Sequence, residues 1–323
     1  MTCVLSALLC VLVSTSAVAD DKKMYRIGVT KIVSHVALDA DEKGFEAALA
    51  GSGYKEGVNV TYDRQNAQGD MAKAQAIAKQ FVDQKMDLIH AIATPTTQAV
   101  EKITKNIPVV FSSITDPVIA GIVPRDSAPG KKTGTNFTGV SDQWPVFLQM
   151  QTYSRFVPKA KKWGTIYNPA ESNSVVHIKA TREAAAKLGL NLVEVTVANT
   201  KEVAQAAASL VGKVDAIVIT SDNTTIADLE AIVKVCNEKK IPLFAGDVDS
   251  VPRGAIAAYG LDYYLVGYSA GKKAALVLKG VKPGDVPWGP VEKFSLVINE
   301  NAAKAQGVTV PAEFLKKADK VIR

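Results

Sequence analysis

The chain has 323 residues, 47% hydrophobic and 22% charged, the composition of a globular protein with room for one large or two medium domains and a sizeable core. Its net charge of +6 comes from lysines in scattered pairs such as Lys131-Lys132, Lys161-Lys162, Lys239-Lys240, Lys272-Lys273 and Lys316-Lys317, with no longer basic run and no aromatic interleaving. That dispersal reads as solvated helix ends and loops, and it speaks against a nucleic-acid partner.

Met1 to Ala19 carries no charge, contains the apolar run from Val4 to Val13, and ends Ala17-Val18-Ala19 before Asp20-Asp21-Lys22-Lys23. This is the pattern of a secretory signal peptide cleaved after Ala19, and it predicts a periplasmic protein. The apolar run is too short for a spanning helix, and bulky Leu9 before Cys10 argues against lipid attachment at that cysteine. Of the three cysteines only Cys236 follows the cleavage point, which leaves no internal disulfide. In Ala231-Ile232-Val233-Lys234-Val235-Cys236 it reads as a small core residue.

From Tyr25 onward strand and helix patterns alternate with short connections, which predicts a doubly wound α/β protein with parallel sheets. Strands are expected at Tyr25–Val29, Val58–Tyr62, Leu88–Ala93, Pro108–Phe111, Lys162–Ile166, Asn191–Val197, Ala216–Thr220, Pro242–Ala245, Ile256–Tyr259 and Phe294–Ile298. Between them the period becomes helical: Ala74, Ile77, Ala78, Phe81 and Val82 form one apolar stripe, and Val203, Ala206, Ala207 and Leu210 another. Asn199 with Glu202 resembles a capping pair, and Pro95 suits the first turn of a helix.

Signatures of catalysis are missing. His35, His90 and His177 are far apart and lack metal-ligand spacing, and no G-x-S-x-G, H-E-x-x-H or P-loop occurs. Gly51-Ser52-Gly53-Tyr54-Lys55-Glu56-Gly57 follows a helix pattern where a dinucleotide fingerprint would open one, and reads as a helix cap and turn. The expectation is a protein without enzymatic activity, metal or cofactor.

Binding groups remain. Two apolar strands run into loops of one chemistry, Ile107-Pro108-Val109-Val110-Phe111 into Ser112-Ser113-Ile114-Thr115-Asp116-Pro117, and Ala216-Ile217-Val218-Ile219-Thr220 into Ser221-Asp222-Asn223-Thr224-Thr225. Ligands of open α/β sheets sit beyond the carboxyl ends of such strands, where helix N-termini offer free N–H groups. Thr94-Pro95-Thr96-Thr97 and Asn168-Pro169 follow two further strands. The same residue types are also the commonest helix caps, so each position admits a structural reading. Asp116, Asp222 and Asp247 are carboxylates able to hold an ammonium group, and the set suits a small zwitterion such as an amino acid, possibly an aromatic one.

Ile107-Pro108-Val109-Val110-Phe111-Ser112-Ser113-Ile114-Thr115-Asp116-Pro117-Val118, Thr138-Gly139-Val140-Ser141, Ile166 to Ser174 and Gly260-Leu261-Asp262-Tyr263-Tyr264-Leu265-Val266-Gly267 together resemble the ABC-transporter substrate-binding proteins of the tryptophan/tyrosine-type family. The resemblance runs from about Tyr25 to Ile322. It implies the type I periplasmic-binding-protein fold: two Rossmann-like lobes with parallel sheets, joined by three crossovers near Ser141-Asp142, Asp247–Val251 and Pro290–Glu292. Lobe one would hold 24–141 with 251–290, and lobe two 142–250 with 291–323. Carried over residue by residue, it implies ligand contacts from Thr96, Thr97, Ser112, Ser113, Asp116, Asn168, Ser221, Asp222, Asn223, Asp247 and Tyr259.

The function that follows is an extracytoplasmic binding protein of an ABC importer, a monomer that closes on a small ligand and delivers it to a membrane permease. A secreted sensor presenting the same closed form to a membrane receptor would share the sequence. An enzyme would need a reactive group at a strand end, and none is evident. A transcriptional repressor of the same fold is excluded by the export signal and by the lack of a helix-turn-helix ahead of Tyr25.

Overall fold

The computed structural model describes residues 23–323, so the expected signal segment and Cys10 lie outside the described residues. In chain order the first elements are β1 (Tyr25–Lys31), α1 (Val36–Gly51), β2 (Val60–Asn66), α2 (Met71–Asp83), β3 (Leu88–Ile92), α3 (Thr94–Ile103), β4 (Val109–Ile114) and β5 (Phe137–Ser141). There follow α4 (Val146–Phe156), β6 (Lys162–Tyr167), α5 (Ser172–Lys187), β7 (Asn191–Thr196), α6 (Val203–Ser209), β8 (Ala216–Ile219), α7 (Asn223–Ala227), α8 (Leu229–Lys239) and β9 (Leu243–Asp247). The chain ends with β10 (Ala257–Leu261), α9 (Tyr263–Leu278), β11 (Gly289–Pro290), β12 (Ser295–Asn299), α10 (Glu300–Ala305), α11 (Ala312–Lys317) and β13 (Lys320–Ile322).

These strands form two sheets, ordered β11-β5-β4-β3-β1-β2 and β13-β12-β10-β9-β8-β6-β7. The run β5-β4-β3-β1-β2 recurs as β10-β9-β8-β6-β7, so one winding is used twice and each lobe is Rossmann-like. Neighbouring strands are parallel except β10 and β12, which pair antiparallel. Every residue of β3, β4 and β8 is buried, which explains their largely apolar character, interrupted only by His90, Ser112 and Ser113: helices cover both faces.

Helices α1 and α9 pack with backbones almost touching. A Cβ at Gly44 would lie 2.0 Å from the Tyr264 carbonyl oxygen, and one at Gly267 would lie 1.8 Å from that of Asp41. Only glycine permits that approach, and it binds the start of lobe one to a segment more than two hundred residues later.

The chain passes between lobes at residues 142–145, at 262 and at 291–294. The second passage differs from the expected Asp247–Val251. Residues 248–250 form only a short helical turn, and β10 stays in the second sheet, where Ala257 pairs with Phe244 on one side and Ile298 on the other. The later part of lobe one therefore starts at Tyr263 and not at 251. Strand bounds also move: Val58 sits in a turn, its amide donating to the Lys55 carbonyl, so β2 runs from Val60 to Asn66. The strand β5 was not expected, because Thr138-Gly139 dilutes its apolar character.

Candidate ligand-binding site between the lobes

A cavity of about 390 Å³ lies between the carboxyl ends of the two sheets. Its first wall is built by the loops after β1, β2 and β3: Ile32, Val33, Ser34, Asn66, Gln68, Gly69, Met71 and Pro95. The second wall comes from the loops after β6, β7 and β8: Asn168, Ala170, Glu171, Ala198, Asn199, Thr200, Asn223 and Thr224. The repeated winding thus brings equivalent loops face to face, as expected beyond the carboxyl ends of a doubly wound sheet. The volume falls at the lower end of the range for small-molecule sites, about 300–1,000 Å³.

On the second wall Glu171 gathers the polar groups. Its Oε1 accepts from the Thr224 amide at 3.1 Å and hydroxyl at 2.8 Å, and its Oε2 from the Asn223 amide at 3.1 Å, the Asn223 Nδ2 at 2.5 Å and the Asn173 Nδ2 at 3.2 Å. Burial, with the Asp222 charge behind it, pushes its carboxyl up to about 7. Asn168 donates its amide to Asp222 at 2.6 Å and its Nδ2 to the Thr224 hydroxyl at 3.0 Å, which fixes the loop after β6 against α7.

The first wall is set by helix starts. His35 is the N-cap of α1, and its Nδ1 accepts from the Leu38 amide at 3.5 Å. Burial pushes its pKa down to about 4, so the ring is neutral near pH 7 and, with Nδ1 accepting, carries its proton on Nε2. Ala93 ahead of α3 holds φ at +74°, an unusual conformation for a residue with a Cβ, and α3 begins without a side-chain cap. Backbone strain of this kind recurs at ligand clamps.

Three buried polar atoms next in sequence or nearly so to lining residues have no protein partner: Oγ1 of Thr94, Oγ of Ser172 and Oδ1 of Asn173. Leaving such groups unpaired costs about 1–3 kcal/mol each.

Of the residues expected at the site, Asn168 and Asn223 line this cavity. The others have local partners. The Thr96 and Thr97 hydroxyls donate back to the Ile92 carbonyl at 2.7 Å and the Ala93 carbonyl at 2.9 Å. Ser112 and Ser113 donate to Asp41, inside lobe one. Asp116 accepts from the Val118 and Ile119 amides at a turn. Ser221 bonds the His177 Nδ1 and the Thr115 hydroxyl. Asp222 is the N-cap of α7, accepting from the Thr225 amide at 2.7 Å, and Asp247 accepts from Ser250 amide and hydroxyl, both at 2.8 Å. Tyr259 lies in β10 with its ring 6.0 Å from Phe294, away from the cavity.

None of the three aspartates expected to hold an ammonium group lines the cavity. Glu171 is the carboxylate that does, three residues beyond Asn168 and ahead of α5, whose backbone it does not cap. Asn66 and Gln68 were also missed, because the loops after β1 and β2 have no Ser/Thr/Asp run. Among the described residues no cluster of His, Cys, Asp and Glu could hold a metal ion.

The profile of the ABC transporter substrate binding protein family matches residues 26–322. The chain is 41% identical over 286 residues to a tyrosine-binding protein of Clostridioides difficile strain R20291, covering 88% of this chain and 82% of that one. The crystal structure of an ABC domain in complex with L-Trp from Streptococcus pneumoniae is 35% identical, covers 93% of this chain and 100% of its own, and superposes with a TM-score of 0.87. The ligand-free, open structure of a substrate-binding protein with adhesive properties from Clostridium difficile is 38% identical, covers 93% and 99%, and superposes with a TM-score of 0.67. The chain belongs to the ABC transporter substrate-binding protein family, whose members bind rather than transform their ligands, and it has the type I periplasmic-binding-protein fold.

Proposed function

We propose that this protein is the exported binding component of an ABC importer and captures an aromatic amino acid of the tyrosine and tryptophan class between its lobes, for delivery to a membrane permease. The observation that carries the reading is the cavity itself: one ionisable side chain, Glu171, and a set of neutral polar groups surround an aliphatic floor of Ile32, Val33, Met71, Pro95, Ala170 and Ala198. An amino acid with a flat apolar side chain has a partner for each of these features. Burying such a ring contributes about 1.5–3 kcal/mol from apolar area alone.

Two relatives of similar identity and coverage support a closed arrangement here. The tryptophan-bound one superposes at 0.87 and the open, ligand-free one at 0.67, a gap that a difference in lobe placement accounts for. A ligand that touches both walls only when they are shut favours the closed state by its differential affinity, and the three passages between lobes absorb the rotation. The uncharged Met1–Ala19 segment ending Ala17-Val18-Ala19 supports export, with a mature N-terminus at Asp20 that mass spectrometry of protein from its native host would read.

Calorimetry of the purified mature chain tests the ligand class. L-Tyrosine or L-tryptophan should bind with a dissociation constant of about 1 μM or tighter, roughly −8 kcal/mol, and sugars and purines should not bind. Tight binding of a sugar or purine, with no amino acid bound, would overturn the reading.

A further inference from the structure

We propose that Asp249 is a proton-controlled latch between the lobes: protonated it holds the closed arrangement, and ionised it favours the open one. The inference concerns regulation, and it rests on the two-lobe closure proposed above.

Four carboxylates gather where the chain passes between lobes: Asp142 in the first passage, Asp262 in the second, Asp247 at the end of β9 and Asp249 in the short helical turn after it. Among the described residues none of the four forms an ion pair. Three of them have close donors. Asp142 accepts from the Thr115 hydroxyl at 3.2 Å and the Tyr263 hydroxyl at 2.5 Å, Asp247 from the Ser250 amide and hydroxyl, both at 2.8 Å, and Asp262 caps α9 through the Tyr264 amide at 2.9 Å. Asp249 has only the Tyr263 amide, at 3.4 Å. That contact crosses between lobes, since Asp249 lies in lobe two and Tyr263 opens α9 of lobe one. The turn carrying Asp249 also packs against α1 of lobe one.

A carboxylate held between packed elements, with like charges around it and no cation beside it, is disfavoured in its ionised form. Burial raises the Asp249 carboxyl to about 7, and the Asp247 and Asp262 charges add to the shift. The other titratable groups on the packed elements do not offset this. Arg253 gives its Nε and Nη2 to Glu230, both at 2.7 Å, and the Tyr263 hydroxyl is committed to Asp142. On α1 and its cap, His35 is held neutral by burial, Asp39 pairs with Lys31, and Asp41 accepts from Ser112 and Ser113. When the lobes part, water reaches Asp249 and its pKa returns toward the ordinary 3.8. The closed state therefore holds the proton more tightly than the open one. Closure takes a proton up, so ligand affinity rises as pH falls through about 7 and is lost above it.

Calorimetry with L-tryptophan at pH 5.5, 6.5 and 7.5, on the parent and on Asp249→Asn, tests the latch, with unfolding in urea as the check on folding. The parent's affinity should rise on the order of 10-fold from pH 7.5 to 5.5, and the variant should lose most of that rise. At pH 7.5 the variant should bind several-fold more tightly than the parent, because its neutral amide closes without a proton. A merely structural role for Asp249 predicts the reverse. Glu171, the raised carboxyl that lines the cavity, is present in both proteins, so the difference between the two profiles belongs to Asp249. Parallel profiles, or weaker binding by the variant at pH 7.5, overturn the proposal while leaving the ligand class intact.

Small-angle X-ray scattering of the ligand-free chain reads the same latch without a ligand. The parent's radius of gyration should be smaller at pH 5.5 than at pH 7.5, as closed lobes occupy less space, and Asp249→Asn should show the smaller value at both. An unchanged radius in the parent overturns the latch even where the variant does not fold. If the parent binds neither L-tryptophan nor L-tyrosine, the ligand reading falls and the scattering alone decides the latch.

Discussion

Thr115 of the first lobe and Ser221 of the second stand 3.3 Å apart, hydroxyl to hydroxyl, and join two sets of polar groups across the base of the cleft. On one side Thr115 donates to Asp142 at 3.2 Å, which also accepts from the Tyr263 hydroxyl at 2.5 Å. On the other, Ser221 bonds the Nδ1 of His177, whose ring stacks on Trp144 at 4.6 Å. Because the two hydroxyls belong to different lobes, their contact belongs to the closed arrangement. A net hydrogen bond contributes about 0.5–1.5 kcal/mol, so Thr115→Val should weaken ligand binding by roughly 2- to 10-fold. Calorimetry reads the change, and an affinity equal to the parent's would remove this contact from the closing mechanism.

His177 sets a pH dependence of stability. The ring is 2% exposed, its Nε2 has no partner, and burial pushes its pKa from the ordinary 6.5 to about 3. The unfolded chain binds this proton below about pH 6.5 and the folded chain does not, so stability is lost as pH falls from there toward 3, by up to about 1.4 kcal/mol per pH unit. Urea unfolding between pH 7 and 4 should give a shallower decline for His177→Gln than for the parent, by close to one proton's worth. Identical slopes would mean that the buried ring accepts the proton in place.

Gly267→Ala should destabilise lobe one. The added methyl would lie 1.8 Å from the Asp41 carbonyl oxygen, a backbone atom with no freedom to rotate aside. Overpacking typically costs about 1–3 kcal/mol and occasionally more; here α1 has to move, and the upper end is expected. The urea midpoint should drop accordingly, whereas Gly51→Ala, at a helix end where a Cβ meets nothing within 4 Å, should leave it near the parent's value.

The sequence carried the architecture further than the site. Apolar runs such as Val109-Val110-Phe111 mark strands covered on both faces, and their spacing reveals the repeated winding. Sheet membership is less visible: Ala257–Leu261 is a short apolar strand that fits either lobe, and only its pairing with β9 and β12 decides. At the site, hydroxyl and carboxylate residues after strands do mark the correct end of each sheet. They do not separate a side chain turned back to cap its own helix, as Asp222 and Asp247 are, from one facing the cavity, as Glu171 is. Asn and Asp at N-caps look alike in both situations, because both use the same hydrogen bonds to free helix amides.

The close packing of α1 against α9 has a consequence for the order of events after synthesis. A helix that begins at Val36 finds its partner only when the chain has been made as far as Leu278, so the first lobe to be translated is among the last to be complete. Until then its glycine-lined face has nothing to close on. If the chain is exported as proposed above, that delay would leave the leading segment without its partner helix until the trailing segment has also crossed.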